Sequence, residues 1–323
     1  MSTTTRTATP LPYDTHSAPE WLLGKFRGAK RLAFNLAPIR YAFVAENGGP
    51  ITQIDYGHGD FLGERWHLSR ALLREEFQHP MGKRLRLFHP ADGSGVGKTR
   101  LEARSKAISE ALERWAYFST SSGPDRTLYG YPYADSTKGM AAFPGMLPRQ
   151  ARRLAVAEAF EYFTIDAWWG GSLQHWQVER DDATIVFIEQ PHFSGCVAVA
   201  IRPLGLDDYA AAYGMGSGAT PAEAEVKAQL EACRLQTLLE LRDRSVTRAK
   251  PILPAEQQLL FRASHEGYRM VRDRLASSPW RSAPQPKIVF DGPVSGPWNK
   301  YTHVWRYALE PIHSDHELGC FAA

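Results

Sequence analysis

Four glutamates are the residues whose spacing most directly suggests chemistry. Glu110 and Glu113 lie three residues apart in one segment, and Glu158 and Glu161 repeat this spacing in a second segment. On a helix, side chains three residues apart lie on the same face. Two such faces brought together would offer four carboxylates, and Mg²⁺ binds carboxylate oxygens with substrate phosphates completing its shell. The two pairs therefore predict a magnesium site suited to a nucleotide.

A solvated surface stripe is the alternative interpretation of each pair, because glutamates at this spacing are common on exposed helix faces. Here, however, the glutamates alternate with apolar and aromatic positions such as Leu112, Trp115 and Phe160. This pattern favours the metal site, and the surface stripe stays open.

A glycine-rich segment just before the first pair offers a different way of binding ATP. Residues 93–99 read GSGVGKT, and the Gly-Lys-Thr end matches a phosphate-binding P-loop. The first glycine of that motif would stand at position 92, where Asp92 has the wrong charge for a phosphate cradle. The preceding segment 83–88 alternates charged and apolar residues, unlike a buried parallel strand. We interpret 93–99 as a turn that joins a strand to a helix and keep a P-loop NTPase as an alternative.

Composition limits the classes of function. The 323 residues include 38 basic and 35 acidic side chains, so no broad basic surface indicates nucleic acid as a partner. Cys196, Cys233 and Cys320 form no C-x-x-C pair, which argues against a zinc site or a disulfide framework and favours a cytoplasmic protein. No apolar run is long enough to span a membrane. Residues 1–20, which lack an apolar core, are expected to be a disordered segment rather than a secretory signal.

Three segments have helical periodicity, and strand-like runs lie between them. The predicted helices run from about Arg100 to Phe118, from about Pro148 to Trp169, and from Thr220 to about Arg242. The predicted strands are 184–188, 196–201, 287–291 and 303–309, and the stretches near 122–146 and 202–218 are predicted loops. The mixture predicts an α+β fold in which helices pack over mixed sheets, and residues 21–323 are expected to form a single domain.

Three blocks of the chain, in this order, resemble the motifs of the YcaO-domain family, and together they cover roughly residues 85–310. The first block is Gly97-Lys98-Thr99 followed by a helix with Glu110-Ala-Leu-Glu113-Arg114-Trp115. The second is Ser136 to Ala142 followed by Ala151, Glu158, Glu161 and Asp166-Ala167-Trp168-Trp169. The third is Gly214-Met-Gly216 followed by Pro221, Ala224, Lys227-Ala228 and Glu231.

The resemblance implies a YcaO-like fold in which helices with paired Glu-x-x-Glu motifs hold ATP and Mg²⁺. It implies that the four glutamates chelate magnesium and that the ATP phosphates are contacted by Lys106, Arg114, Gln150 and Lys227. Proteins of this family use ATP to activate a peptide backbone amide. A nucleophile attacks the amide, and the amide oxygen is then phosphorylated. Cyclodehydration to azolines is the expected reaction, with amidine or thioamide formation as alternatives.

The resemblance also implies partners. The substrate would be a ribosomally synthesised precursor peptide, as in the biosynthesis of bacteriocins and related antibiotics. A separate protein would bind the leader of that peptide, a flavin dehydrogenase is a further expected partner, and a homodimer stays open.

Four positions depart from the family pattern. Lys106 stands where the family has serine, Gln150 where it has an acidic residue, Tyr162 where it has arginine, and Lys227 where it has arginine. Lysine keeps the positive charge but loses the two-pronged guanidinium contact, and tyrosine keeps neither. A catalytically degenerate subunit that scaffolds a peptide-modifying complex is therefore an alternative to an enzyme.

Overall fold

The computed structural model describes residues 41, 48–78, 91–124, 126–129, 139–145, 147–244 and 254–312. Four of the expectations above concern residues 1–20, 83–88, 136–138 and Cys320, which lie outside these ranges. Within them the chain forms ten strands and six α-helices, so the predicted α+β fold class is confirmed.

The ten strands form three sheets, in each of which neighbouring strands run antiparallel. The strands are β1 (Ile51–Phe61), β2 (Glu64–Leu73), β3 (Gly93–Gly97), β4 (Met140–Phe143), β5 (His175–Arg180), β6 (Ala183–Ile188), β7 (Cys196–Pro203), β8 (Ala211–Gly218), β9 (Ile288–Pro293) and β10 (His303–Leu309). The first sheet has the order β1-β2-β3, the second β4-β10-β9, and the third β5-β6-β7-β8.

The helices include the three that the sequence predicts. They are α1 (Arg100–Tyr117), α2 (Arg126–Tyr129), α3 (Arg149–Trp169), α4 (Pro221–Asp243), α5 (Pro254–Ala263) and α6 (His265–Ala276). The predicted start of α4 is confirmed, because the Thr220 hydroxyl accepts a hydrogen bond from the backbone N–H of Glu223. In the described residues, no helix has both the length and the apolar character needed to cross a membrane.

Two glycine-rich segments were predicted incorrectly. Residues 93–97 are strand β3, paired with β2, and not part of a turn. Residues 211–218, within a predicted loop, are strand β8, paired with β7. Each of the two segments is paired with a neighbouring strand and is covered closely by a helix. Glycine is needed in these strands because a larger residue would leave no room for the helix. The strand geometry also argues against the P-loop, since the glycines that would wrap a phosphate belong to a sheet.

The core lies between the sheets and the helices. Ile108 and Leu112 of α1 pack against the first sheet, and the fully buried Trp168 of α3 packs against the third. On its opposite face the third sheet receives α4 through the buried Ala224, Ala228 and Ala232. Helix α3 also packs against the second sheet, through Ala159 and Phe163. The helices α1, α3 and α4 are thereby fixed mainly to the first, second and third sheets, and they carry the candidate site.

Candidate functional site

Three strand–helix units surround the candidate site, and each orients a glutamate in the same way. In the first unit, β3–α1, the backbone N–H of Ser94 donates to Glu110 Oε2 at 2.7 Å. In the second, β4–α3, the N–H of Met140 donates to Glu158 Oε2 at 3.1 Å. In the third, β8–α4, the N–H of Met215 donates to a glutamate outside the predicted pairs, Glu231, at 2.8 Å. Each first glutamate is thus held by the strand of its own unit.

Close packing of helix on strand makes these bonds short in the first and third units. Buried alanines repeat every fourth residue on α1 and α4, facing the glycines of β3 and β8. A Cβ added to Gly93 would lie 2.0 Å from the carbonyl oxygen of Ala107, and one added to Gly214 would lie 2.0 Å from that of Ala228. No real side chain fits at such a distance, so glycine is required for the helix to approach.

The residue three positions later on each helix contacts the strand of the next unit. Glu113 of α1 accepts a hydrogen bond from the backbone N–H of Ala142 in β4. Glu161 of α3 accepts hydrogen bonds from the backbone and the hydroxyl of Ser217 in β8. Arg234 of α4 donates to Ser94 Oγ in β3 at 2.6 Å, which returns to the first unit. The six side chains form a closed ring, which we call the carboxylate ring: Glu110, Glu113, Glu158, Glu161, Glu231 and Arg234.

The predicted site residues divide between two adjacent cavities. A cavity of about 770 Å³ is lined by Lys106, Glu110, Glu113, Arg114 and Glu158. A neighbouring cavity of about 600 Å³, which shares Phe143 and Leu154 with the first, is lined by Gln150 and Lys227. Glu161 lines neither cavity but lies beside Ser217 and Lys227, which line the second. The structure therefore brings five of the eight predicted residues to the first cavity, and Gln150 and Lys227 to the second.

Burial, and after it the nearness of other carboxylates, raises pKa values in the ring. Burial and the nearby Glu110 raise the pKa of Glu113 to about 8, although Arg114 and the Ala142 N–H oppose the shift. Burial and Glu231 raise the pKa of Glu161 to about 7, against the opposing effects of Ser217 and Lys227. Near neutral pH the chain alone therefore favours a proton on Glu113 and holds Glu161 near the midpoint of its titration, and a bound cation would favour the charged form of both.

The pKa of Glu231 is also raised, chiefly by burial. The hydrogen bond from the Met215 N–H and the nearby Arg234 and Arg262 oppose this shift in the pKa. Glu231 is thus a buried carboxylate like those of the first two units, but in the third unit the cation Arg234 lies near it.

The predicted phosphate contacts differ in how they are engaged. Arg114 Nη2 lies 2.5 Å from Glu110 Oε1, and this carboxylate raises the pKa of Arg114 above its usual value. Lys106 Nζ donates to the carbonyl oxygen of Val96 at 2.8 Å and pairs with Glu102 at 2.8 Å. Lys227 makes the equivalent bond to the carbonyl oxygen of Ser217. Of these cations, Arg114 is the one whose side chain forms a salt bridge with a glutamate of the ring.

Tyr162 lies among the glutamates, in the position where the resembled family has arginine. Burial, followed by the charges of Glu158 and Glu231, raises the pKa of its phenol well above the usual value. The side chain therefore stays neutral and lines the first cavity as a hydroxyl rather than as a cation.

The donor set of the ring fits a hard divalent cation. It consists of carboxylate oxygens, which Mg²⁺ prefers, and its excess of negative charge holds protons in the absence of metal. Among the residues that the structure describes, no three acidic, histidine or cysteine side chains are gathered tightly enough to hold a metal ion as they stand. Of the five ring glutamates, Glu110, Glu113 and Glu158 line the first cavity.

Glu231 and Ser94 are members of the site that the sequence prediction missed. Glu231 falls in the third YcaO-like block but was not included among the predicted ligands. The signal that reveals it is an internal repeat at a constant shift of 121 residues. This shift aligns Gly93 with Gly214, Thr99 with Thr220, Lys106 with Lys227 and Glu110 with Glu231.

Comparisons with known proteins place two solved structures beside this chain. The first is the YcaO from Methanopyrus kandleri bound with AMPPCP and Mg²⁺, with 13% sequence identity, 91% of this chain and 90% of that chain covered, and a TM-score of 0.49. The second is the E. coli microcin synthetase McbBCD complex with pro-MccB17 bound, with 11% identity, 79% and 86% covered, and a TM-score of 0.48. No protein-family model and no curated protein matches the sequence. A YcaO is thus among the structures to which this chain is similar.

Proposed function

We propose that this protein is an ATP- and Mg²⁺-dependent enzyme that modifies backbone amides of a ribosomally synthesised peptide. The observation that carries the proposal is the carboxylate ring. Five glutamates from three helices form the ring, three of them line the first cavity, and burial raises the pKa values of Glu113, Glu161 and Glu231. Buried carboxylates repel one another in the chain alone, whereas a bound magnesium nucleotide would neutralise their charge and use their oxygens as ligands.

The ring assigns roles to its members. Glu110, Glu113, Glu158 and Glu161 would hold magnesium together with Glu231. Arg114, which lies 2.5 Å from Glu110, is the cation best placed for a phosphate oxygen. Magnesium ATP supplies the phosphoryl group that turns an amide oxygen into a leaving group.

The surrounding residues shape the rest of the site. Met140, Ala141 and Phe143 of β4 give the first cavity an apolar wall, which limits access of water. The neighbouring cavity, with Gln150 and Lys227, extends the space available to a ligand along α3. Together the two cavities have room for both a nucleotide and a segment of peptide.

Isothermal titration with magnesium AMPPCP tests the nucleotide site. We expect saturable binding by the wild-type chain and a loss of at least about tenfold in affinity for Glu110→Gln and Glu231→Gln. Glu240→Gln is the matched control on α4, because Glu240 bonds to Gln236 outside both cavities. Binding that is absent in the wild-type chain, or equal in all four proteins, would refute the proposed site.

Cyclodehydration is the reaction that we propose within this class. Mass spectrometry of a candidate precursor peptide incubated with the chain, its partner protein and ATP would show the loss of one water for each azoline formed. Replacement of an amide oxygen by sulfur would instead indicate a thioamide, and an unchanged peptide mass together with ATP hydrolysis would contradict the modification.

A second function, that of a scaffold subunit without turnover, is favoured by one observation. Tyr162 presents a neutral hydroxyl beside Glu158, where the resembled family has a cation for phosphate. A scaffold would bind magnesium AMPPCP but hydrolyse no ATP in the presence of peptide and partner. A gain of hydrolysis in Tyr162→Arg would identify this position as the cause.

A further inference from the structure

The third strand–helix unit departs from the other two at a single position of the carboxylate ring. Helices α1 and α3 carry a second glutamate three residues after the first, whereas α4 carries Arg234 three residues after Glu231. In the sequence alignment of the first and third units, which uses the shift of 121 residues, Arg234 corresponds to Glu113. The ring thus contains a permanent cation at the point where the third unit meets the first.

Arg234 determines how the Ser94 hydroxyl is used. Arg234 Nη2 lies 2.6 Å from Ser94 Oγ, and a guanidinium has no acceptor, so the hydroxyl oxygen accepts this bond. The hydroxyl hydrogen is then directed to Glu110 Oε2, which lies 3.0 Å away. The backbone N–H of Ser94 donates to the same carboxylate oxygen at 2.7 Å.

These bonds fix both oxygens of Glu110. Oε2 accepts two donors from Ser94, and Oε1 accepts one from Arg114 at 2.5 Å. A carboxylate has about four lone-pair sites, two on each oxygen. The remaining site of Glu110 is therefore on Oε1, and Arg234 bonds to the Ser94 hydroxyl, one of the three groups that hold this carboxylate.

We propose that Arg234 is a positioning residue for a divalent cation, which it serves by orienting Glu110 through the Ser94 hydroxyl. The inference rests on the proposed function, in which Glu110 is one of the carboxylates that bind magnesium. Side chains that orient a metal ligand without touching the metal change its affinity by about 10–100-fold when they are removed. Arg234 has this relation to Glu110.

Binding of Mn²⁺, followed by electron paramagnetic resonance as a substitute for Mg²⁺, tests the inference on the full chain. We expect Arg234→Met to weaken Mn²⁺ binding by about tenfold or more. Arg234→Lys keeps a charged donor and is expected to recover part of the affinity. Arg242→Met is the matched control, because Arg242 lies on the same helix and donates to Tyr209 Oη instead.

A double mutant separates positioning from a general loss of structure. If Arg234 acts through Ser94, the double variant with Arg234→Met and Ser94→Ala should bind Mn²⁺ with the same affinity as whichever single variant has the lower affinity. Additive losses, or unchanged Mn²⁺ affinity in Arg234→Met, would overturn the inference while leaving the magnesium site in place.

Hydrogen exchange without metal gives an independent result. The Ser94 amide donates to Glu110, so we expect it to exchange faster in Arg234→Met than in wild-type or Arg242→Met protein in the presence of EDTA. Absence of Mn²⁺ binding in the wild-type chain would refute the proposed function. In that case, equal exchange at Ser94 in all variants would also refute the orienting role of Arg234.

Discussion

The first and third strand–helix units are built alike yet carry different charges into the site. In both, a Gly-x-Gly-x-Gly strand packs on a helix with buried alanines, and a backbone N–H of the strand holds a glutamate sixteen residues later. Three positions further along, one helix has Glu113 and the other has Arg234. The packing of strand on helix therefore fixes where the side chain at this position lies, and the residue type alone decides whether the position carries a negative or a positive charge.

The glycines of β3 and β8 that lie against α1 and α4 offer the strongest test of whether the two units are packed alike. We expect Gly93→Ala and Gly214→Ala each to lower the free energy of unfolding by about 3 kcal/mol, because the added methyl group meets a backbone carbonyl. Denaturant unfolding measures the loss. Gly205→Ala, where nothing lies within 4 Å of the added atom, is the control and should change stability by less than about 0.5 kcal/mol. A large loss of stability in only one of the two variants would show that the units are packed differently.

The charge difference predicts a pH dependence that originates in the first unit. The pKa of Glu113 is about 8 in the folded chain, above the ordinary glutamate value of 4.5, so the folded chain binds a proton that the unfolded chain releases. The stability that this proton gives is complete below about pH 4.5 and is lost as the pH rises through about 8. Glu161, with a pKa of about 7, contributes in the same direction.

Thermal unfolding in EDTA between pH 5 and pH 9 measures this effect. We expect the midpoint to fall as the pH rises over the range, and Glu113→Gln to make the fall smaller. Addition of Mg²⁺ at the upper end should restore stability if the carboxylates bind it. A midpoint that rises with pH, or a Glu113→Gln variant with the wild-type slope, would contradict the assignment.

The helix caps are the feature in which the two units should differ least. The hydroxyl of Thr99 accepts from the N–H of Glu102 at 3.2 Å, and that of Thr220 accepts from the N–H of Glu223 at 3.3 Å. We expect Thr99→Ala and Thr220→Ala each to cost about 1 kcal/mol of unfolding free energy. Denaturant unfolding of both variants checks this value, and costs that differ by more than about 1 kcal/mol would show that the caps are not equivalent.

The sequence predicted the long helices well because their signals are local. Apolar periodicity and the Thr220 cap placed α1, α3 and α4 within a residue or two of their observed ends. Their glutamates were predicted as a site from spacing and from the resemblance to a family. Both kinds of evidence are carried by residues close together in the chain.

The parts that were missed depend on contacts between distant residues. Glycine is depleted in strands, so β3 and β8 looked like a turn and a loop until a helix was seen to cover each of them. The Glu113–Ala142 and Arg234–Ser94 contacts join residues far apart in sequence, and no local pattern indicates them. Glu231 was within reach of the sequence alone, through the repeat at a shift of 121 residues.

The ring of bonds between units has a thermodynamic consequence, because β3, β4 and β8 belong to three different sheets. A ligand held by the ring would be bonded, directly or through one neighbour, to all three sheets at once. A ligand at one hundred times its dissociation constant stabilises a folded chain by about 2.7 kcal/mol. Here that free energy would oppose separation of the sheets from one another, so loss of the ligand and loosening of the whole fold would be one linked event.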